Sequence, residues 1–167
     1  MVQSWSPITL PVSVERDAVA SKRRQASSAA LDCLVPWDVR FYGAQDGAVP
    51  ARDFLQGLPL SARVELRATL DAVAEAPPPQ FSGGLRWHVM RGDMSGYYEA
   101  RTKDGQRLHR LFCVLERHQP GLDNCSIVVL TGMTKPIRTA FSRADYQQVR
   151  DLGETYRAGN PRRVAAG

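Results

Sequence analysis

Between residues 96 and 132 apolar and polar positions follow the short blocks and alternations of strands. Residues 97 to 102 alternate and carry aromatics. Residues 107 to 116 are mostly apolar and β-prone, and residues 125 to 131 form an Ile/Val/Leu run of strand length. Three consecutive antiparallel strands are expected. Asp104-Gly105 suits the first turn as a type I′ hairpin, whose two loop positions both need positive φ. With those two as the loop, Lys103 faces Gln106, Arg101 faces Leu108, Glu99 faces Arg110 and Tyr97 faces Phe112. Alternation then puts Tyr97, Glu99, Arg101, Leu108, Arg110 and Phe112 on one face of the sheet. Tyr98, Ala100, Leu111 and Cys113 share the other, with Leu115 continuing the row, and this second face is the expected main core. The first sets two arginines and a glutamate among aromatic and aliphatic neighbours. A charged cluster on rigid strands suits a site that binds a polyanion or cleaves a phosphodiester.

The same patterning extends outward from this segment. WDVRFY, residues 37 to 42, alternates like a half-buried strand and ends at a polar GAQDGAVP stretch. Val49-Pro50 with Asp53 suits a helix start, and Phe54, Leu55 and Leu58 give it an apolar face. Pro59 interrupts, and Ser61 or the residues just before it can cap a longer helix through Leu66, Leu70 and Val73, which stops at Pro77-Pro78-Pro79. Both helices are expected to precede the sheet. One more strand is expected at residues 85 to 91, between Gly83-Gly84 and Gly92-Asp93. Residues 133 to 141 read as an exposed connection. Ser142 caps a last helix, with Asp145 completing a capping box and Tyr146, Val149, Leu152 and Tyr156 on one face; Asn160-Pro161 ends it. The fold class is α/β in the α+β sense: an antiparallel meander sheet with two N-terminal helices and one C-terminal helix. Residues 1 to 35 show no sustained period and are expected to be a disordered extension, 36 to 160 the folded domain, and 161 to 167 a basic tail.

Composition narrows the function classes. The chain has 167 residues, a net charge of +5 and a pI near 9.4, an excess that favours an acidic partner such as nucleic acid. Cys33, Cys113 and Cys125 form no CxxC pair, and buried thiols are the simpler reading of the two within apolar strands. No apolar run reaches the roughly 20 residues that span a bilayer, and the N-terminus lacks the basic-then-apolar order of a secretion signal. His88, His109 and His118 have no metal-ligand spacing, so no metal and no cofactor is expected. Trp87 is expected to pack beneath the sheet.

The order of elements, with G-Y-Y-E-A-R, then H-R-L-F, then T-G-M-T-K-P before a terminal helix, resembles the RelE/HigB-type toxins of bacterial type II toxin-antitoxin systems, and among them the phage-derived HigB-like branch, with a RelE/ParE-like fold. The likeness covers roughly residues 37 to 158. It implies a cytoplasmic toxin, an endoribonuclease (mRNA interferase) that cuts messenger RNA on the ribosome without a metal. A cognate antitoxin, a small helix-turn-helix protein, would silence it. In such chemistry the ribose 2′ hydroxyl attacks the neighbouring phosphodiester, so the site must take a proton, neutralise the phosphorane and protonate the 5′ oxygen. By position, Arg110 matches the family's phosphate-clamping arginine, Arg101 a basic residue on the neighbouring strand, and Lys135 the lysine of the loop after the last strand. Glu99 and His109 are the candidate proton-transfer groups, although His109 points to the opposite face in the register above. Arg91, Lys103, Arg107 and Arg138 are expected to bind RNA. The chain departs from the family at Pro136, where a second basic residue is common, and in lacking a clear C-terminal tyrosine or histidine, since Tyr146 reads as packing. Two alternatives therefore stand: a ParE-like inhibitor of DNA gyrase, and a non-catalytic RNA- or protein-binding module. Glu99 and Arg110 also make an ordinary cross-strand ion pair, worth about 0.2 to 1 kcal/mol without any function.

Overall fold

Among the described residues, six strands and three helices follow one another as β1 (Asp38–Tyr42), α1 (Pro50–Gln56), α2 (Leu60–Glu75), β2 (Trp87–Val89), β3 (Tyr98–Asp104), β4 (Arg107–Glu116), β5 (Ser126–Pro136), α3 (Arg143–Ala158) and β6 (Val164–Ala166). A 3-10 turn, Gly92–Met94, lies between β2 and β3. This is a computed structural model, and it describes residues 36–78, 85–117 and 124–167. The expected N-terminal extension, Cys33 and His118 lie outside the described residues.

The fold is α+β, but the sheet is mixed rather than an antiparallel meander. Its order is β2-β3-β4-β5-β1-β6, with β1 parallel to β5 and every other pairing antiparallel. Turn chemistry reports only on neighbours joined by short loops. Pairing of β1 with β5 joins Asp38 to Ser126 across most of the chain, and no local signal marks it. The helix arrangement differs correspondingly: α1 and α2 do not precede the sheet but leave from one of its interior strands. Residues expected as a basic tail instead supply the edge strand β6, paired to β1.

Helices cover both faces. Pro50 at the first turn starts α1, whose Ala51 and Leu55 are buried. Pro59 rather than Ser61 precedes α2, with no side-chain cap, and Leu66, Leu70 and Val73 form its buried stripe. These two helices pack on the face carrying Ala100, Leu111 and Cys113, where Thr102 reaches Glu65 of α2 through a hydrogen bond. Phe54 of α1 lies over Gly132; a Cβ there would sit 1.9 Å from the Phe54 ring, so only glycine lets α1 approach β5. On the opposite face α3 buries Val149 and Tyr156 against Tyr97, Phe112, Val114, Val128 and Leu130. The face expected to be secondary is thus a second core. The capping box predicted for α3 is present: Ser142 Oγ accepts from Asp145 N at 3.1 Å, and Asp145 Oδ2 accepts from Ser142 N at 2.7 Å.

Candidate functional site

The β3–β4 hairpin turns one residue later than its sequence suggests. Asp104 pairs with Arg107, so the loop is Gly105-Gln106, and only Gly105 has positive φ, at 54°. One positive φ at the first loop position is the requirement of a type II′ turn, not type I′. Arg101 therefore faces Arg110, and Glu99 faces Phe112. Each strand slips by one position, which leaves the side-chain parity between them intact: Glu99, Arg101 and Arg110 still share a face. Like charges directly opposite repel. Here Glu99, on the diagonal, offsets that repulsion. Its Oε2 accepts from Arg110 Nη1 at 2.6 Å, while its Oε1 lies 3.9 Å from Arg101 Nη1. Both members of the closer pair are largely buried, with side-chain exposures of 14% for Arg110 and 8% for Glu99.

A cleft of about 860 Å³ opens above this pair, between β2, β3 and β4 on one side and the first turns of α3 on the other. Glu99 and Arg110 lie at its foot. Arg91 and Asp93 come from the 3-10 segment, and Arg143, Gln147 and Arg150 from α3; His88 of β2, the register partner of Glu99, completes the wall. Four arginines thus face two carboxylates, which gives the cleft a positive balance. An aromatic cluster fixes its α3 end. Phe141 stands edge-to-face to Phe112 and Tyr146 at 5.9 Å in each case, and Tyr146 meets Phe112 at 6.3 Å.

The other expected site residues divide. Lys135 belongs to β5, which runs on to Pro136 instead of ending at Thr131, so the expected loop lysine is on a strand. A bulge between Phe112 and Cys113 lets β5 continue past the expected break, with Gly132 under Phe54. Lys135 Nζ lies 5.5 Å from the Phe141 ring and Arg110 Cζ 5.3 Å from the same ring, so the two cations flank one aromatic. Lys135 opens onto a neighbouring hollow beyond Phe141 and is hydrogen-bonded to the Thr139 carbonyl. Arg101 is turned toward β2, donating from Nε to the Leu85 carbonyl at 3.0 Å. Arg91 reaches the cleft; Lys103, Arg107 and Arg138 are exposed and do not line it.

His109 is on the far side of the sheet, as the parity required. Its Nδ1 is 2.7 Å from Thr134 Oγ1, its ring is 6.5 Å from that of Phe54, and it lines a separate hollow of about 510 Å³. Burial holds this imidazole below its usual range, with nearby Asp104 opposing and Arg107 adding to the shift. It cannot act on a phosphate bound by Arg110, because the sheet separates them.

His88, Asp93, Arg143, Gln147 and Arg150 of the cleft were not singled out from sequence as site residues. A signal existed in α3, where residues 143, 147 and 150 are spaced by four and three on a polar stripe beside the apolar one. Trp87 packs as expected, 1% exposed and stacked on Tyr98 at 5.5 Å. Among the described residues there is no cluster of three metal-ligating side chains, and no helix is long and apolar enough to cross a membrane. Compared with protein-family models, curated proteins and solved structures, the chain matches none.

Proposed function

We propose that this chain is the toxin of a type II toxin-antitoxin pair and cuts messenger RNA on the ribosome at the cleft under α3. One observation carries the proposal: Arg110, held by Glu99, sits at the foot of a cleft whose walls add Arg91, Arg143 and Arg150. A phosphodiester seated there gains charge-assisted hydrogen bonds from a guanidinium already oriented by its carboxylate partner. As the 2′ oxygen attacks and charge grows on the phosphorane, the same arginines oppose more of it than in the ground state, which is the condition for lowering the barrier. The basic cleft is also the surface an antitoxin of opposite charge would cover. The ribosome, messenger RNA and a helix-turn-helix antitoxin, all in the cytoplasm, are the partners this function requires.

A non-catalytic reading, a ParE-like action on DNA gyrase, is favoured by one feature: Glu99 already satisfies much of the Arg110 charge. Induced expression separates the two. The nuclease reading expects growth arrest with fragmented messenger RNA, abolished by Arg110→Ala, with the variant's circular dichroism unchanged. Intact messenger RNA with accumulated gyrase cleavage complexes would support the other reading, and full toxicity of the variant would remove Arg110 from the site. No growth defect at all would leave a non-toxic binding module.

A further inference from the structure

RNA cleavage by an internal hydroxyl needs a proton acceptor beside the cations, and the cleft leaves little choice. His109 is on the wrong face. Glu99 has Oε2 hydrogen-bonded to Arg110 and Oε1 3.9 Å from Arg101, and taking up a proton would weaken the ion pair that orients Arg110. Asp93 is exposed at the rim, on the 3-10 segment rather than on the strands that carry Glu99 and Arg110. Tyr146 is packed edge-to-face against Phe112 and Phe141, and of the described imidazole, phenol and carboxylate groups lining the cleft His88 remains. It is half-buried on β2 directly opposite Glu99. Its Nε2 is shielded from solvent and has no hydrogen-bond partner. A ribose hydroxyl cannot reach a sealed atom, so the ring nitrogen open to it is Nδ1, which is neither sealed nor hydrogen-bonded.

We propose that His88 is the general base of this site, an inference that rests on the cleft being an RNA-cleaving one. The imidazole accepts the ribose 2′ proton as the bond from the 2′ oxygen to phosphorus forms. The bond from phosphorus to the 5′ oxygen breaks, its electron pair stays on that oxygen, and water at the open mouth protonates it. A 2′,3′-cyclic phosphate and a 5′ hydroxyl result, and the imidazolium returns its proton to the solvent. The charged groups facing His88 are Glu99 on β3 with Arg101 beside it, and Arg110 on β4. From the other elements come Arg91 and Asp93 on the 3-10 segment, and Arg143 and Arg150 on α3.

The test is single-turnover cleavage of a defined messenger in a cell-free translation mixture, between about pH 5.5 and 8.5, the region spanning imidazole titration. Full-length protein, His88→Gln and His88→Asn are compared, the two variants each keeping a polar side chain. The unmutated protein is expected to show a rate that rises with pH and levels off, leaving cyclic-phosphate ends. Both variants should cleave about 10²- to 10⁴-fold more slowly at the plateau and lose the acidic limb, while melting and RNA retention stay unchanged. A His88→Gln rate within about threefold of the unmutated protein, or a preserved limb, overturns the role of His88 while leaving the nuclease reading intact. Absence of cleavage by the unmutated protein overturns both.

Discussion

The two faces of the β3–β4 ribbon carry similar residue types and treat them differently. On the α1–α2 face, Thr102 bonds Glu65, Nδ1 of His109 meets Thr134, and the hollow around His109 sets Asp53 and Asp104 against Arg107 alone. A phosphate there would meet more negative charge than positive. On the α3 face, Glu99 neutralises one cation while arginines from two other segments have no carboxylate partner among the described residues. The two faces share one pair of strands and one set of backbone hydrogen bonds. What separates them is the helix that docks on each side and the charges it contributes. A binding site in this fold is therefore a property of the pairing of sheet and helix, rather than of the strands that hold its central arginine.

The sharpest break in that contrast comes from the floor of the cleft. Glu99→Ala leaves Arg110 largely buried without its closest partner and is expected to lower unfolding free energy by about 3 kcal/mol, because an unmatched buried charge keeps its desolvation cost. Thr134→Val on the other face removes one hydrogen bond and should cost about 1 kcal/mol. Urea denaturation measures both, and a reversed order would mean that the Glu99–Arg110 pair is solvated.

A smaller effect concerns the walls. Arg143→Ala combined with Arg150→Ala should weaken binding of a single-stranded RNA oligonucleotide about tenfold and flatten the dependence of affinity on salt by about one to two counterions. Arg107→Ala, at the hairpin tip beside Asp104, should change neither by a measurable amount. Equal losses from Arg107 would place the RNA path on the wrong face.

The smallest expected effect is a pH dependence on the α1–α2 face. His109 is held below the usual imidazole range by burial, so near and below that range the unfolded chain binds the proton more readily than the folded one. Stability is therefore full above the ordinary histidine value and declines as pH falls below it. Replacing His109 with Asn should reduce the loss of stability between about pH 7 and about pH 5, as read by thermal melts across that window. A steeper acid loss in the variant would mean that His109 is protonated in the fold.

Much of the framework could be read from the chain before any coordinates. The Ser142–Asp145 cap, Pro50 at a helix start, the Leu66/Leu70/Val73 stripe and the limits of β4 are consequences of local chemistry and short periodicity. So is the grouping of Glu99, Arg101 and Arg110, which is the same for either turn because slipping both strands by one position preserves parity. The hairpin turns one residue later than Asp104-Gly105 suggests, because that pair satisfies the local rule for one turn type while pairing along the strands selects another. His88 carried no spacing that would mark it, and its position became informative only opposite Glu99.

By itself the sequence determined which side chains can share a face and where helices can begin, because alternation and capping depend on backbone geometry over a few residues. Tertiary structure decided that β1 inserts parallel to β5, that residues 164 to 166 close an edge, and that the arginines of α3 overhang Arg110. Those outcomes depend on which apolar faces bury each other across the whole chain, and burial is settled by the sum of distant contacts rather than by any neighbouring residue.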